Sequence, residues 1–170
     1  MDPIQLLKRQ HRQVESLFKA LQRTEDPQER RDAVQAIQRN LELHMRIEEE
    51  IFYPAVREVE LKKAEEMVLE SYEEHHVTKL ALAELPQIDP ADERFQAKAK
   101  VLEELVRHHV EEEEKELFRI AKKLGTETLD QLGERMSADA GEGREEEELE
   151  AEDGAHAAAG AGRGRRGRRR

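Results

Sequence analysis

The sequence predicts an all-α chain, an antiparallel up-down-up-down four-helix bundle with a short C-terminal helix and a disordered tail. Three observations carry this. Glu, Lys, Arg, Leu, Ala and Gln dominate a chain that is 41% charged and 4% aromatic, and these residues cost least to place in a helix. Apolar residues recur at helical spacing in four separate stretches. The breaks between the stretches are short, so successive helices must run antiparallel.

The first stretch, "DPIQLLKRQHRQVESLFKALQR", opens with Asp2 as N-cap and Pro3 at the first helical position, where a missing N–H costs nothing. Its apolar face is Ile4, Leu7, Val14, Phe18 and Leu21. "TEDPQE" breaks the chain, and a second helix is expected from about residue 29 into "IFYP". Pro54 should end or kink it near Tyr53. The third helix, "LKKAEEMVLESYEEHHVTKLALAEL", stops before Pro86, and "PQIDPADE" is a turn-rich link. The fourth, over about 91–124, carries Leu102, Leu105, Val106, Leu117 and Ile120 on one side and ends at Gly125, a natural C-cap. "TETLDQLGERM" adds a short fifth helix with Thr126 as its cap.

Residues 1–136 therefore read as one domain. Over 137–170 the composition changes to an acidic block, an Ala/Gly spacer and an Arg-rich end, with almost nothing to bury, so this tail is expected to be disordered. No apolar run approaches the roughly 20 residues that span a bilayer. The N-terminus has no signal-peptide pattern, and a soluble cytoplasmic protein is expected. The absence of cysteine excludes disulfides, thiolate metal sites and thiol catalysis. A net charge of −11 opposes nucleic-acid binding by the folded part; the Arg-rich end is the one segment suited to nucleic acid or an acidic surface.

Each of the four helices carries a histidine where a leucine belongs. His11 lies on the line Ile4, Leu7, Val14, Phe18. His44 stands with Ile37, Leu41 and Ile51, and Glu48 falls on the same stripe. His109 lies with Leu102, Leu105, Val106 and Leu117. The third helix offers His75 and His76, and periodicity does not choose between them. Two helices repeat a pattern, His44-x-x-x-Glu48-Glu49 and His109-x-x-x-Glu113-Glu114, each followed by aromatics. Residues four apart share a helix face, so each pair can converge on one metal ion, with the carboxylate free to bridge to a second. A lone inward histidine is usually a satisfied core residue. Two His/Glu pairs on alternate helices, with inward histidines on the other two, outweigh that reading, because an ionisable interior layer is costly unless a cation compensates it. Glu49, Glu50, Glu111, Glu112 and Glu114 read as solvated face, with room for one to support a ligand. His76 and His108 read as surface neighbours.

In that order, "LLKRQHRQVESLF", "LHMRIEEEIFYP", "EEHHVTKLALAEL" and "HHVEEEEKELF" resemble the hemerythrin-like proteins of the HHE cation-binding family, over about residues 2–124. The resemblance implies two non-haem iron ions in the bundle, held by His11, His44, Glu48, His75, His109 and Glu113, and reaction with or sensing of a small oxidant such as O2, peroxide or NO. It selects His75 over His76, since the family ligand directly follows the acid in "EEH". An alternative within it is a metal-dependent sensory or iron-handling module without turnover. Oxygen carriers of the family have a further histidine where this chain has Lys79. Two octahedral irons need about twelve positions, and without that histidine two remain open or water-filled. This favours oxidant chemistry, sensing or metal handling over reversible oxygen carriage. The other reading of Lys79 is a helix-surface residue. A ferritin-like site needs Glu-x-x-His on two helices, and only Glu73-x-x-His76 fits.

Overall fold

The computed structural model describes residues 2–141. These residues are helical with short connections, and no strand occurs among them. The chain runs through α1 (Pro3–Arg23) and α2 (Pro27–Ile47), then a π-helical turn, Glu48–Phe52, and α3 (Tyr53–Arg57). It continues through α4 (Lys62–Glu84), a 3-10 turn (Leu85–Gln87) and α5 (Glu93–Glu112). A second π turn, Glu113–Leu117, leads into α6 (Phe118–Ala121), a 3-10 turn (Lys122–Leu124) and α7 (Thr126–Ala140). The α2 and α3 segments form one continuous rod, as do α5 and α6, so the bundle has the four expected members. α1 packs against α2 and α5, and α4 against α5, α3 and α2; α7 lies across α1 and α2.

Caps explain the starts. Asp2 accepts from the Ile4 N–H, Asp26 from Gln28 and Glu29, and Asp92 from Arg94, satisfying donors that a helix start leaves orphaned. Gly125 sits at φ +83°, a conformation that glycine adopts without steric cost, and turns the chain into α7. Thr126 is the first residue of α7 rather than its cap, and α7 has no side-chain cap. That helix continues to Ala140, four residues past the boundary expected after Met136; residues 142–170 of the expected tail lie outside the described residues.

Pro54 does not end its helix. The irregularity begins upstream, at Glu48, where the turn widens until the Tyr53 N–H reaches the Glu48 carbonyl. A proline brings no donor, and the Glu49 carbonyl left without one accepts from the Tyr72 hydroxyl at 3.1 Å. The second π turn contains no proline but also starts on a glutamate, Glu113, whose carbonyl receives the Phe118 N–H.

The core is divided. One apolar cluster gathers Ile4, Leu7, Phe52, Val56, Val68, Leu117 and Phe118 near α7. The other gathers Val14, Phe18, Ile37, Leu41, Leu85, Phe95 and Leu102 towards the opposite end. His11, His44, His75 and His109 occupy the gap between them along their helices, together with Glu48 and Glu113.

Candidate metal centre

All six candidate residues are buried, Glu48 completely. Packing decides between the adjacent histidines: His75 is 2% exposed and His76 is exposed. His109 is buried while His108 faces outward.

The six residues form two overlapping groups, one of His11, His44, Glu48 and Glu113, the other of Glu48, His75 and His109. Glu48 joins them through different oxygens. Its Oε1 is 3.2 Å from His44 Nε2 and 4.0 Å from His11 Nε2. Its Oε2 is 3.2 Å from His75 Nε2 and 3.9 Å from His109 Nε2. Glu113 Oε2 lies 3.2 Å from His11 Nε2, and the His75 and His109 Nε2 atoms are 3.2 Å apart.

Every ring is held from outside by its other nitrogen. Nδ1–H of His11 donates to Glu114 at 2.9 Å, that of His44 to the Gln10 side-chain oxygen at 2.9 Å, that of His75 to Glu49 at 2.9 Å and that of His109 to Glu74 at 2.7 Å. An imidazole that donates outward from Nδ1 presents the Nε2 lone pair inward. Inside, His11 Nε2, His44 Nε2, Glu48 Oε1 and both Glu113 oxygens are buried without a hydrogen-bond partner among the described residues. Buried polar atoms are rarely left so. Five such atoms in one layer fit a cation's donor set.

The electrostatics agree. Burial and the neighbouring Glu48 charge push the Glu113 carboxyl up to about 7. Burial pushes His44 down to about 3. Burial would lower His109 too, but the Glu48 and Glu74 carboxylates outweigh it and raise it to about 10. Without a cation the layer must carry protons to offset two buried carboxylates.

Sequence reasoning missed three participants. Gln10 and Glu74 support His44 and His109 from other helices, and no periodic signal marks such pairs. Glu49 and Glu114, read mainly as solvated, are supports as well. The third is Tyr53, whose hydroxyl donates to Glu48 Oε2 at 3.2 Å and lies 3.3 Å from His75 Nε2 and 3.4 Å from His109 Nε2. Five residues apart on an α-helix means a rotation of about 140°, which would put Tyr53 far from the Glu48 face; the π turn brings it round. Phe118, five residues after Glu113, is its counterpart and stacks on His11, with centroids 5.9 Å apart. At this position one half offers a phenol and the other a phenyl ring.

Lys79 points outward and pairs with both oxygens of Glu49 at 2.6 and 2.8 Å. It steadies the support of His75 and is a surface residue. The inward position one turn after His75 belongs to Thr78, which lines a small cavity of about 10 Å³ over the histidines with Val14, Leu41, Met45, Val106 and Val110. His11, Val106 and Val110 also line an outer cleft of about 280 Å³ between α1 and α5, rimmed by Arg12, Glu15, Glu103, Arg107 and Glu111.

A buried His/Glu layer of this kind inside a helical bundle offers the donor set of a cation site. The chain belongs to the hemerythrin HHE cation binding domain family, whose model matches residues 2–121. A hemerythrin HHE cation binding domain-containing protein from Mycobacterium kansasii shares the fold, with a TM-score of 0.72 at 21% identity, over 84% of this chain and 86% of that one. A DNA nickase from Nostoc sp. is 31% identical over 134 residues, 78% of this chain. The match spans 37% of the nickase's length. No helix among the described residues is long and apolar enough to cross a membrane.

Proposed function

We propose that the chain is a non-haem di-iron protein whose interior centre reacts with or senses a small oxidant: O2, peroxide or NO. The observation that carries this is the inward convergence of four imidazole Nε2 atoms and two carboxylates, five of whose atoms have no hydrogen-bond partner among the described residues. His11, His44 and Glu113 would hold one ion, His75 and His109 the other, with Glu48 spanning both. Nitrogen and carboxylate donors in this mix suit iron, with manganese and zinc as competitors. Iron so held supplies Lewis-acid and redox chemistry towards a diatomic or peroxide.

The remaining contributions belong to the protein. Glu114, Gln10, Glu49 and Glu74 fix the ring orientations before any cation arrives. The small cavity over the histidines has room for about one water-sized molecule. Burial, with the charges of Glu113 and Glu48, raises the Tyr53 phenol well above its usual range. Tyr53 therefore holds its proton on the hydroxyl until positive charge is placed beside it, and it offers that proton at the His75/His109 side. The donor set, with Lys79 outside and Thr78 inside, contains four histidines, and the openness inferred from the missing fifth histidine favours oxidant chemistry over reversible carriage.

Metal content and the optical spectrum of purified chain, recorded anaerobically and after oxygen, test this. About two irons per chain and a change in spectrum on exposure are expected. Zinc content with a silent spectrum would overturn the reading. A second reading follows from the Nostoc relative: nucleic-acid strand cleavage, with the Arg-rich residues 162–170 as the anchor. Relaxation of supercoiled plasmid, with and without residues 142–170 and with chelator, tests it; no nicking by the iron-loaded full chain would dismiss it.

A further inference from the structure

A third group of metal-ligating side chains stands outside the interior layer. Glu74 on α4 faces His108 and Glu112 on α5: His108 Nε2 is 3.8 Å from Glu74 Oε1 and 3.7 Å from Glu112 Oε1. One donor atom from each lies within 4.8 Å of the others. His108 and Glu112 are four apart on one helix face, a natural chelating pair. Glu74 is already pinned by its other oxygen, Oε2, which accepts the His109 Nδ1–H at 2.7 Å. One arm of the triad is therefore ordered in advance, which lowers the entropic cost of capturing an ion.

We propose that Glu74, His108 and Glu112 form a surface site for a divalent transition cation such as Zn2+, joined to the interior layer through the Glu74 carboxylate and the His109 ring. One imidazole and two carboxylates select a borderline transition cation over Mg2+ or Ca2+, which take oxygen donors almost alone. Tetrahedral bonds of about 2.0–2.2 Å place donors roughly 3.3–3.6 Å apart, so His108 Nε2 at 3.8 and 3.7 Å from the two carboxylates is close to binding distance, and the exposed His108 and Glu112 side chains can accommodate the rest. An ion there draws electron density from Glu74 and weakens its hold on His109 Nδ1–H. The surface ion would thereby report to the interior layer through the Glu74–His109 hydrogen bond. The interior ion would lose donor strength as the surface site fills.

The test is a Zn2+ titration of the full chain, followed by calorimetry, against the exposed double variant H108N/E112Q. Helix content by circular dichroism controls for folding. One exchangeable Zn2+ per wild-type chain is expected, weakened at least tenfold in the double variant, with metal that survives dialysis unchanged between the two. Equal titrations, or no saturable Zn2+ binding by the wild type, would overturn the site and leave the triad as ordinary ion pairs. The result is a difference between two chains that share the interior layer, so it is decided whether or not that layer holds iron.

Discussion

Gln10 accepts from His44 Nδ1–H inside a layer where the other three histidines donate to carboxylates. It is the one neutral support, and it is itself buried. Removing it leaves a ring free to rotate and a buried N–H unpaired. Gln10→Leu is therefore expected to weaken metal binding by about 10–100-fold, the usual cost of losing an outer partner, measured by competition with a coloured chelator. His44→Ala and His109→Ala should lose most of the dialysis-resistant metal, while His108→Ala keeps it. Equal losses from His108→Ala and His109→Ala in elemental analysis would contradict the inward placement of His109. Lys79→Met should leave metal content near that of the parent chain, because the lysine is exposed and pairs with Glu49 outside the layer.

At the scale of the element, the two π turns matter most. Each begins on a glutamate that faces the layer, and π turns inside α-helices gather at functional sites. The first is anchored by Tyr72, whose hydroxyl serves the Glu49 carbonyl beside the donor-less Pro54. Tyr72→Phe removes that single hydrogen bond with little change in shape. A loss of about 1 kcal/mol in unfolding free energy is expected, from denaturant titration of the metal-free chain. The turn also sets where Tyr53 points, so relaxing it should disturb the Tyr53–Glu48 contact. Tyr53→Phe keeps the ring and tests the phenol directly: metal content should stay close to the parent value, and the optical spectrum of the metal-loaded chain should change. An identical spectrum would remove Tyr53 from the centre.

Over the whole molecule, the polar layer couples stability to protons and cations. In the metal-free chain His109, raised to about 10 from an ordinary 6.5, binds its proton more tightly folded than unfolded. Its contribution is complete below pH 6.5 and is lost as pH rises towards 10. Glu113, raised to about 7 from 4.5, acts in the same direction over its own window. His44, lowered to about 3, acts oppositely: its contribution is present above 6.5 and is lost as pH falls. The clean window is therefore pH 6.5 to 10, where the metal-free melting temperature should fall as pH rises. A cation takes over the protons' role, so the metal-loaded chain should lack that slope. Melting curves with and without chelator at pH 6.5 and 9 check this, and parallel slopes would refute it. Loaded protein should also melt higher throughout, by about 2.7 kcal/mol of added stability when free metal is a hundredfold above its dissociation constant.

Helical period, caps and the inward His/Glu stripes were legible from the chain itself, because they depend on spacing within a single element. Four bundle members, the Asp2 cap, the Gly125 turn and the inward set His11, His44, Glu48, His109 and Glu113 follow from that local arithmetic. His75 against His76 did not follow, since both lie near the boundary of one stripe and only packing against α5 and α2 buries the first. Gln10 and Glu74 were beyond reach for another reason. Their partners sit on other helices, and which residues meet across a bundle depends on the axial register that the two apolar clusters impose. Tyr53 and Thr78 show the remaining cause. A π turn adds a residue to one turn and changes the phase of all that follows, and whether i+3 or i+4 faces inward depends on how far α4 is rotated against its neighbours. Sequence spacing determined that this protein would have a histidine-lined interior; only tertiary packing decided which side chains orient those histidines and which one sits beside them.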